Sequence, residues 1–488
     1  MTAQRYDVAV VGGGLAGIAA AVRLADAGAT VALLEGRPRL GGATYSFRRG
    51  ELTVDTGQHV FLRCYTDYLA LLRRLGTAEA VEVQDRFDVP VLAPGRPVHR
   101  LRRTRGLPAP LHLLPALLGY APLSVRERLG ALRAAAALRF VDPDAPATDE
   151  RSLGEFFAAR HQSPDTVRRL WELIAVSALN VAPDGASLAL AARVFRTGLL
   201  TSARAGDIGR PRIALSALHA DPAVRVLGEL GATVRTRCKV ERISRSGADL
   251  TLSTSDGAVV ARSVVLAVPH PAAARLVPPG AVEAPQRWAE LSATAIVNVH
   301  LVYDRTVTGH GFAAAIDSPV QWLFDRTRES GLRSGQYLAV SLSAADALLG
   351  RPAAELIAEQ RDALATLLPG ARGAELTEAF VTREPRATFR QAPGTRAIRP
   401  ATRTELPGLV LAGAWVGTGW PDTMEGAVRS GNAAADAIAE HLGGSAGSAR
   451  TAGTRAAAGR PPDTPPSTVD EAASPTNLDP RLTSEAAS

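Results

Sequence analysis

Residues 6–35 read YDVAVVGGGLAGIAAAVRLADAGATVALLE, and this stretch decides the fold. Residues 6–11 have the apolar composition of a short buried strand, and a glycine turn separates them from an alanine-rich helix at 15–27. Gly28 ends that helix, and residues 30–34 predict a second buried strand. A strand, a helix and a further strand in this order form a βαβ unit, which is typical of a parallel, doubly wound α/β sheet.

The turn after the first predicted strand carries the pattern Gly12-x-Gly14-x-x-Gly17, and Glu35 stands at the end of the second strand. Gly12 permits the tight turn, Gly14 lets a pyrophosphate approach the backbone, and Gly17 lets helix and strand pack closely. The helix N-terminus offers free N–H groups and a positive dipole to phosphate, and Glu35 can accept a hydrogen bond from a ribose hydroxyl. The sequence therefore predicts a dinucleotide site.

Two further stretches favour FAD over NAD. Residues 39–42, Arg-Leu-Gly-Gly, resemble the second phosphate and flavin contact of the glutathione-reductase-like FAD proteins. Residues 406–438, LPGLVLAGAWVGTGWPDTMEGAVRSGNAAADAI, resemble the closing flavin motif of the amine oxidase and phytoene desaturase superfamily. The resemblance implies an α/β, glutathione-reductase-like (Rossmann-type) FAD-binding domain. Because no cysteine lies near the C-terminal motif in the sequence, the FAD is expected to be non-covalent.

In that superfamily the strand before Gly413 leads to the ribityl phosphate, and the turn before Glu425 aims a helix N-terminus at the flavin pyrimidine. A helix dipole at that place would stabilise negative charge on the reduced flavin. Ala414 stands where the superfamily usually has an acid, which leaves one ribityl or phosphate hydrogen bond unassigned. Val240 lies in a segment that resembles the strand whose backbone touches adenine. The residues predicted to contact FAD are Gly12, Gly14, Leu15, Ala16, Gly17, Glu35, Arg39, Gly41, Gly42, Val240, Gly413, Thr423, Met424 and Glu425.

The α/β pattern is interrupted and then returns, which predicts a discontinuous nucleotide domain with a separate, mixed α+β substrate domain. The C-terminal stretch has no aromatic residue, and it can bury too little apolar surface to compensate for the conformational entropy that it would lose on ordering. The predicted parts are an FAD-binding domain at 1–85, 206–292 and 383–442, a helical substrate or membrane-facing insertion at 86–205, a substrate-domain sheet at 293–382 and a disordered tail at 443–488.

Between the flavin motifs, residues 54–76, 170–195 and 211–234 resemble the squalene-associated FAD-dependent desaturases, also described as hydroxysqualene dehydroxylases. The resemblance implies reductive removal of the allylic hydroxyl of hydroxysqualene to give squalene, a precursor of hopanoids and sterols. Loss of water would leave a delocalised allylic cation that accepts hydride from reduced FAD. The protein would have to protonate the leaving hydroxyl and exclude water.

Three polar residues, Tyr45, Gln58 and His59, follow the flavin-contacting glycines and are the candidates near the reacting carbon. His59 is the hypothetical general acid. A histidine beside FAD can equally be a structural hydrogen-bond donor. No metal site is predicted.

Two other functions stay open at this point. A phytoene-type carotenoid desaturase, or another oxidase of the superfamily, would pass electrons from substrate to FAD, and sequence does not reveal that direction. A non-enzymatic isoprenoid carrier on the same fold would not need a complete FAD site. An amine oxidase is disfavoured, because that branch commonly uses a lysine near the flavin and the sole lysine, Lys239, lies in the adenine segment. Since no second glycine fingerprint is present, an electron donor such as NADPH or a separate reductase is expected to act transiently.

The net charge of +7 comes from arginines interleaved with acids, which argues against a nucleic-acid partner. Two cysteines and the lack of a signal-peptide pattern predict a cytoplasmic location, and no apolar run is long enough to span a bilayer. A proline-broken apolar stretch at 107–123 follows an arginine cluster. This region is predicted either to sit on an anionic membrane surface or to be an ordinary helical surface. The cluster consists of Arg96, Arg100, Arg102, Arg103 and Arg105.

Overall fold

The computed structural model describes residues 5–455. The first sheet is built around the opening strand of the chain. The opening strand pairs in parallel on both sides, so that Val11 lies opposite Leu34 in one neighbour and Leu266 in the other. Most of its residues are buried, as expected for a parallel sheet covered by helices. In spatial order the strands are β10 (Thr233–Arg235), β2 (Val31–Leu34), β1 (Arg5–Val11), β13 (Gly257–Leu266), β12 (Asp249–Thr254) and β11 (Val240–Ser246), and β19 (Leu409–Leu411) also pairs with β13.

A second, seven-stranded sheet forms mainly from the stretch predicted as the substrate domain. A long helix packs on it and contributes Leu356 and Leu364 to the same core as Val297 and Val299. The strands lie in the order β18 (Leu376–Thr388), β14 (Thr294–Tyr303), β17 (Gln336–Leu342), β16 (Trp322–Asp325), β15 (Phe312–Ala315), β7 (Asp88–Leu92) and β8 (His99–Arg102), and the helix is α13 (Ala353–Leu367).

The insertion predicted to be helical at 86–205 begins instead with the hairpin β7–β8, which extends the second sheet through β15. All five residues of β7 are buried. The Asp88 carboxylate at its start forms ion pairs with Arg100 at 2.9 Å and with Arg102 at 3.0 Å, both on the facing strand β8. The Leu-, Ala- and Arg-rich composition of the insertion as a whole concealed this short strand pattern.

The rest of the insertion is helical as predicted. Two of its helices begin with reciprocal capping boxes, at Ser124 with Glu127 and at Ser152 with Glu155. Residues 167–171 and 196–200 form π-helical turns, a rare geometry that is often found at functional sites. The helices are α3 (Leu114–Leu118), α4 (Val125–Arg139), α5 (Pro146–Asp149), α6 (Leu153–Ala158), α7 (Pro164–Thr166), α8 (Glu172–Leu179) and α9 (Leu188–Phe195).

Small elements connect these layers. A hairpin pairs β3 (Ser46–Arg49) with β4 (Leu52–Asp55), and a three-stranded sheet joins β5 (Phe61–Leu62), β9 (Ile208–Pro211) and β6 (Val81–Val83). The remaining helices are α1 (Leu15–Asp26), α2 (Thr66–Leu75), α10 (Asp221–Glu229), α11 (His270–Leu276), α12 (Thr327–Ser330) and α14 (Met424–Arg455).

The tail predicted to be disordered is described only in part. Its residues 456–488 lie outside the described residues, whereas the backbone of α14 continues to Arg455. Across residues 5–455, no helix is long and apolar enough to cross a bilayer.

Candidate active site

The predicted phosphate-binding turn joins β1 to α1. Gly12 has a φ of +106°, a left-handed conformation that glycine adopts readily, and a Cβ on Gly17 would lie 1.9 Å from the Gly12 carbonyl oxygen. Gly14 precedes the helix, which begins with Leu15 and Ala16, and no side chain of the described residues caps its first N–H groups. A helix N-terminus left open in this way is suited to binding phosphate.

Glu35 is held at the edge of this turn. Its Oε2 accepts a hydrogen bond from the Gly13 N–H at 2.7 Å, and its Oε1 accepts one from the Arg37 N–H at 2.7 Å. The Glu35 carbonyl accepts the Cys238 N–H at 2.9 Å, which brings the start of β11 and the buried Val240 to the same end of the sheet. The structure thus brings together the residues predicted for the ribose and the adenine.

The second glycine pair packs directly on the first. The Gly41 N–H donates to the Gly13 carbonyl at 2.8 Å. A Cβ on Gly42 would come within 2.9 Å of the Gly14 Cα, whereas a Cβ on Gly14 would meet no atom closer than 3.8 Å. The surface of Gly14 is therefore open where the predicted pyrophosphate would lie.

Arg39 and Tyr45 form a stacked pair beside these glycines. The Arg39 guanidinium carbon lies 3.0 Å from the centroid of the Tyr45 ring. The Arg39 Nη1 is buried without a hydrogen-bond partner among the described residues, and burial lowers the pKa of Arg39. A half-buried cation with one buried, unused donor fits an anionic cofactor such as FAD. Tyr45 supports this cation, and it does not line the cavity that the other two catalytic candidates share.

The C-terminal motif is also shaped by its backbone. Gly413 follows β19 with a φ of +133°, and its N–H donates to Ser430 Oγ at 2.8 Å. Thr423 Oγ1 accepts the Gly426 N–H at 3.1 Å at the start of α14, where Met424 is buried. The turn therefore leads into the N-terminus of α14, and the contact of this N-terminus with the flavin pyrimidine stays a prediction.

The Glu425 side chain is held by protein groups, so its predicted contact with FAD could come only from its backbone. Its carboxylate accepts the Tyr68 N–H at 2.9 Å and the Asp67 N–H at 3.3 Å, and it pairs with Arg429 at 2.8 Å. These amides belong to the first turn of α2, whose unsatisfied N–H groups and positive dipole attract a carboxylate. Only the Glu425 backbone remains available to the cofactor.

Arg399, which sequence reasoning missed, organises the turn after Gly413. Its guanidinium donates to the carbonyl oxygens of Ala414 at 3.0 Å and Val416 at 2.7 Å. Burial lowers the pKa of Arg399 to about 10, so it keeps its charge at neutral pH. No local pattern marks this arginine, because the chain holds many and only the fold selects one.

Gln58 and His59 line one pocket together with Val60, Phe324 and Arg326. Gln58 Oε1 is buried without a partner among the described residues. His59 Nδ1 lies 3.1 Å from the Gly57 carbonyl oxygen, so a neutral imidazole would carry its proton on Nδ1. Burial lowers the pKa of His59, which favours the neutral form and leaves Nε2 as an acceptor.

A second pocket, here called the Trp420 pocket, is more apolar. It lies between the C-terminal motif and the helical insertion, where a Cβ on Gly198 would lie only 3.1 Å from Leu62 Cδ1. Its wall includes the π-helical turn at 196–200. The Tyr65 ring meets the Trp420 ring edge-on at 6.0 Å. The residues that line it are Leu62, Cys64, Tyr65, Arg193, Val194, Thr197, Gly198, Trp420 and Pro421.

Comparison with known proteins defines the class. Residues 15–439 match the family described as flavin containing amine oxidoreductase, and the chain belongs to this family. It is a flavin-dependent oxidoreductase, as its sequence predicts. Putrescine oxidase shares the fold with a TM-score of 0.67 at 20% identity, covering 89% of this chain and 99% of the other. Cyclohexylamine oxidase from Brevibacterium oxydans shares the fold with a TM-score of 0.63 at 21% identity, and the match covers 90% of this chain and 99% of the other. These neighbours confirm the predicted fold.

Closer sequence relatives narrow the family. The hydroxysqualene dehydroxylase of Rhodopseudomonas palustris is 31% identical over 88% of this chain and 98% of its own length, and that of Sinorhizobium fredii is 30% identical over 88% and 97%. A zeta-carotene desaturase of Zea mays is 26% identical, and the match covers 88% of this chain and 82% of the desaturase. Within the flavin oxidoreductases, the chain belongs to the hydroxysqualene dehydroxylase family.

The open surface of Gly14 allows a direct test of the cofactor cradle. In Gly14→Ala the new Cβ fits the protein without a clash, but it fills the space where the pyrophosphate would approach. We expect a folded protein that has lost most of its FAD, measured as flavin absorbance per chain with circular dichroism as the check on folding. The control is Gly228→Ala, where a Cβ meets nothing within 4 Å and FAD should be retained. Full FAD content in Gly14→Ala would contradict the predicted cradle.

Proposed function

We propose that this protein reductively removes the allylic hydroxyl of hydroxysqualene to give squalene. The observation that carries the proposal is the match to hydroxysqualene dehydroxylases along almost the whole length of both chains. The zeta-carotene desaturase match is weaker and covers 82% of that protein, so carotenoid desaturation is the second candidate. An isoprenoid carrier without flavin chemistry is disfavoured by the family match.

We further propose that the FAD is held without a covalent bond. Gly14, Glu35 and Arg39 would hold its phosphates and ribose. Cys64, although distant from the C-terminal motif in sequence, lines the Trp420 pocket. Burial and the charge of Glu425 raise the pKa of the Cys64 thiol to about 12, so the nucleophilic thiolate is scarce at neutral pH. Acid precipitation should therefore release the flavin into the supernatant.

The bound flavin, once reduced, would supply the hydride that replaces the hydroxyl. The chain must seat an apolar substrate and orient its single polar group. The Trp420 pocket offers Leu62, Val194 and Pro421 to the hydrocarbon. In the other pocket, the free Nε2 of neutral His59 would accept the substrate O–H, and Gln58 supplies a further polar atom that has no protein partner.

The function is tested by one anaerobic turnover. The purified protein is reduced with dithionite, freed of excess reductant and mixed with hydroxysqualene, while the flavin spectrum is followed and the lipid is analysed by mass spectrometry. We expect flavin reoxidation and an equal amount of squalene. Persistent reduced flavin with no squalene would reject the proposal, and oxidation of carotenoid precursors by the oxidised enzyme would favour the second candidate. A colourless protein that FAD cannot reconstitute would favour a carrier.

His59→Ala tests the role of His59 in the same assay. Because the hydrogen bond of its imidazole within the described residues goes to the Gly57 backbone carbonyl, the variant should fold and keep its FAD. We expect turnover to fall by about 10- to 100-fold, the effect of losing one orienting hydrogen bond to substrate. His99→Ala, a substitution in the β7–β8 hairpin, is the control that should leave turnover unchanged. Unchanged turnover in His59→Ala would remove His59 from the mechanism.

We also propose that the protein works on the cytoplasmic face of a membrane, where its substrate dissolves, and receives electrons there from NADPH or a reductase. The predicted arginine cluster offers little unpaired positive charge to a membrane, because most of its members pair with aspartates. Arg103 is buried against Asp207, and Arg105 pairs with Asp85. The apolar stretch at 107–123 is only partly exposed, since Tyr120 and Leu123 are buried.

The better membrane face lies on α4 and its end. Leu129 is 44% exposed and Phe140 82% exposed, at positions that share one side of the helix with Arg126 and Arg133. Neither arginine has a carboxylate partner in the part of the chain that the structure describes. Exposed apolar side chains beside unpaired arginines fit the surface of an anionic bilayer. Leu107, Leu111, Leu118 and Val125 are exposed nearby in the sequence.

Flotation with anionic liposomes tests this face. The double variant Leu129→Asp with Phe140→Asp should lose most of its flotation, because it replaces apolar contacts with charges that the membrane repels. FAD content and turnover of substrate in detergent should stay the same. Val224→Asp is the matched control, since Val224 is 46% exposed on α10, outside this face. Equal flotation of both variants would rule out the α4 face.

A further inference from the structure

Three aromatic rings lie together on one face of the second sheet. Strand β15 contributes Phe312, and the central strand β16 contributes Trp322 and Phe324. Phe312 lies directly opposite Phe324 in the antiparallel pairing of these strands. The ring centroids are 6.3–6.4 Å apart and the ring planes are tilted by only 20–29°, so the rings stand side by side in similar orientations. These three residues are here called the aromatic patch.

The aromatic patch faces the inner side of the sheet. Alternation along the two strands sends Ala313 and Leu323 into the core under α13. Phe312 and Phe324 belong instead to the core that includes the cofactor-binding strands and the helical insertion. Trp322 packs against this inner core and keeps part of its surface accessible. Because β16 is the fourth of seven strands, the accessible ring surface lies in the middle of the sheet and not at its edge.

Small side chains flank the aromatic patch. Trp322 is opposite Ala314 on β15 and opposite Ser341 on β17. Phe324 is opposite Ala339 on β17. Side chains directly opposite each other on paired strands are about 5 Å apart, so large neighbours would cover the rings. Alanine and serine are too short to do this, and the rings remain open to a ligand.

A shared pocket connects the aromatic patch to the polar candidates. Phe324 lines the pocket that Gln58 and His59 share, and Gly311, the residue before β15, lines it as well. The Asp325 N–H donates to the Gly311 carbonyl oxygen at 3.0 Å, so the two strands that carry the patch are held together at the pocket wall. A substrate hydroxyl bound by His59 in this pocket would place its carbon beside the Phe324 ring.

The charged groups around this pocket favour a cation. The two arginines that line it, Arg210 and Arg326, are each paired with a carboxylate. Asp325 also lines the pocket, and among the described residues its carboxylate accepts hydrogen bonds from uncharged groups only. Two positive and three negative groups are therefore present, and the balance is negative.

We propose that the aromatic patch stabilises the allylic cation that forms when the substrate hydroxyl leaves. This inference rests on the proposed dehydroxylation. The C–O bond breaks and its electron pair leaves with the oxygen, which takes up a proton and departs as water. The cationic carbon then accepts hydride from the bound, reduced flavin. In total, one alcohol and one fully reduced flavin give one hydrocarbon, one water and one oxidised flavin, so the substrate gains two electrons.

Aromatic rings suit this task for two reasons. The face of the ring carries the negative part of its quadrupole and attracts cations, more strongly for Trp than for Phe and more strongly where water is excluded. A ring also has no lone pair that would capture the carbon, unlike water or a carboxylate in contact. Trp322, the strongest cation binder of the three, is the one whose surface is accessible.

The kinetic test removes the aromatic faces and keeps apolar side chains. In the double variant Trp322→Leu with Phe324→Leu, single-turnover reoxidation of reduced flavin by saturating hydroxysqualene should fall by about 10- to 100-fold. Binding of squalene, the neutral product, should change little. Trp322→Phe keeps a weaker aromatic face and should lie between wild type and the double variant. Leu323→Val, on the opposite face of the same strand, is the control that should keep the wild-type rate.

A binding test needs no turnover. Farnesyl trimethylammonium carries a permanent positive charge and no N–H, and its neutral isostere has carbon in place of nitrogen. The dissociation constants of both are measured on protein loaded with oxidised FAD, from the change in the flavin spectrum. Relative to wild type, the double variant should shift the ratio of the two constants by about 10-fold in favour of the neutral compound. If the double variant does not fold, Trp322→Leu alone is used, since Trp322 is only half-buried.

The outcomes separate this inference from the proposed function. An unchanged rate in the leucine variant, or an unchanged ratio of dissociation constants, would show that the patch only packs the sheet. Equal losses of rate and of squalene binding would mean that the rings hold the hydrocarbon and not the cation, which also overturns the inference. If wild type makes no squalene, the dehydroxylation is wrong, and the ammonium ratio then decides separately whether the patch binds a cation.

Discussion

A buried ion pair between Asp55 and Arg326 joins the cofactor-binding part of the chain to the second sheet. The Asp55 side chain is 4% exposed and that of Arg326 is 11% exposed. Asp55 also accepts Ser46 Oγ at 2.5 Å and the Leu215 N–H at 3.0 Å, so one carboxylate ties together β3, β4 and the segment before α10. Removing one partner of a buried pair costs about 3–5 kcal/mol, because the other charge is left uncompensated. Since Gln58 and His59 follow Asp55 closely and Arg326 lines their pocket, this pair also sets the geometry of the site.

Two buried carboxylates of this site, Asp55 and Glu425, hold separate parts of the chain together. Asp55 pairs with Arg326 and accepts hydrogen bonds from Ser46 and Leu215, so its role is structural. Glu425 has a raised pKa through burial, but the amides of α2 and Arg429 occupy its oxygens, so its role is structural.

Short sequence patterns were enough to predict the elements whose shape depends on neighbouring residues in the chain. The strand, glycine turn and helix at 6–35, and the second glycine turn at 413–426, follow from spacing and backbone conformation, and the family match confirms the class they indicate. Long-range contacts were not predictable in this way. The hairpin β7–β8 joins strands more than two hundred residues away, Glu425 meets α2 across most of the chain, and Arg399 is one arginine among many.

The placement of the helical insertion connects these features to the substrate. Helix α4, which carries the exposed Leu129 and Phe140, packs on α9 and on the π-helical turn at 196–200 that walls the Trp420 pocket. The proposed membrane face and the Trp420 pocket are therefore linked through packed helical segments. Within this π turn, Gly198 lies so close to Leu62 that a Cβ on Gly198 would come within 3.1 Å of Leu62 Cδ1. Under the proposed function, apolar surroundings of this kind would help to desolvate an isoprenoid alcohol, which suits a reaction whose cation must be kept from water.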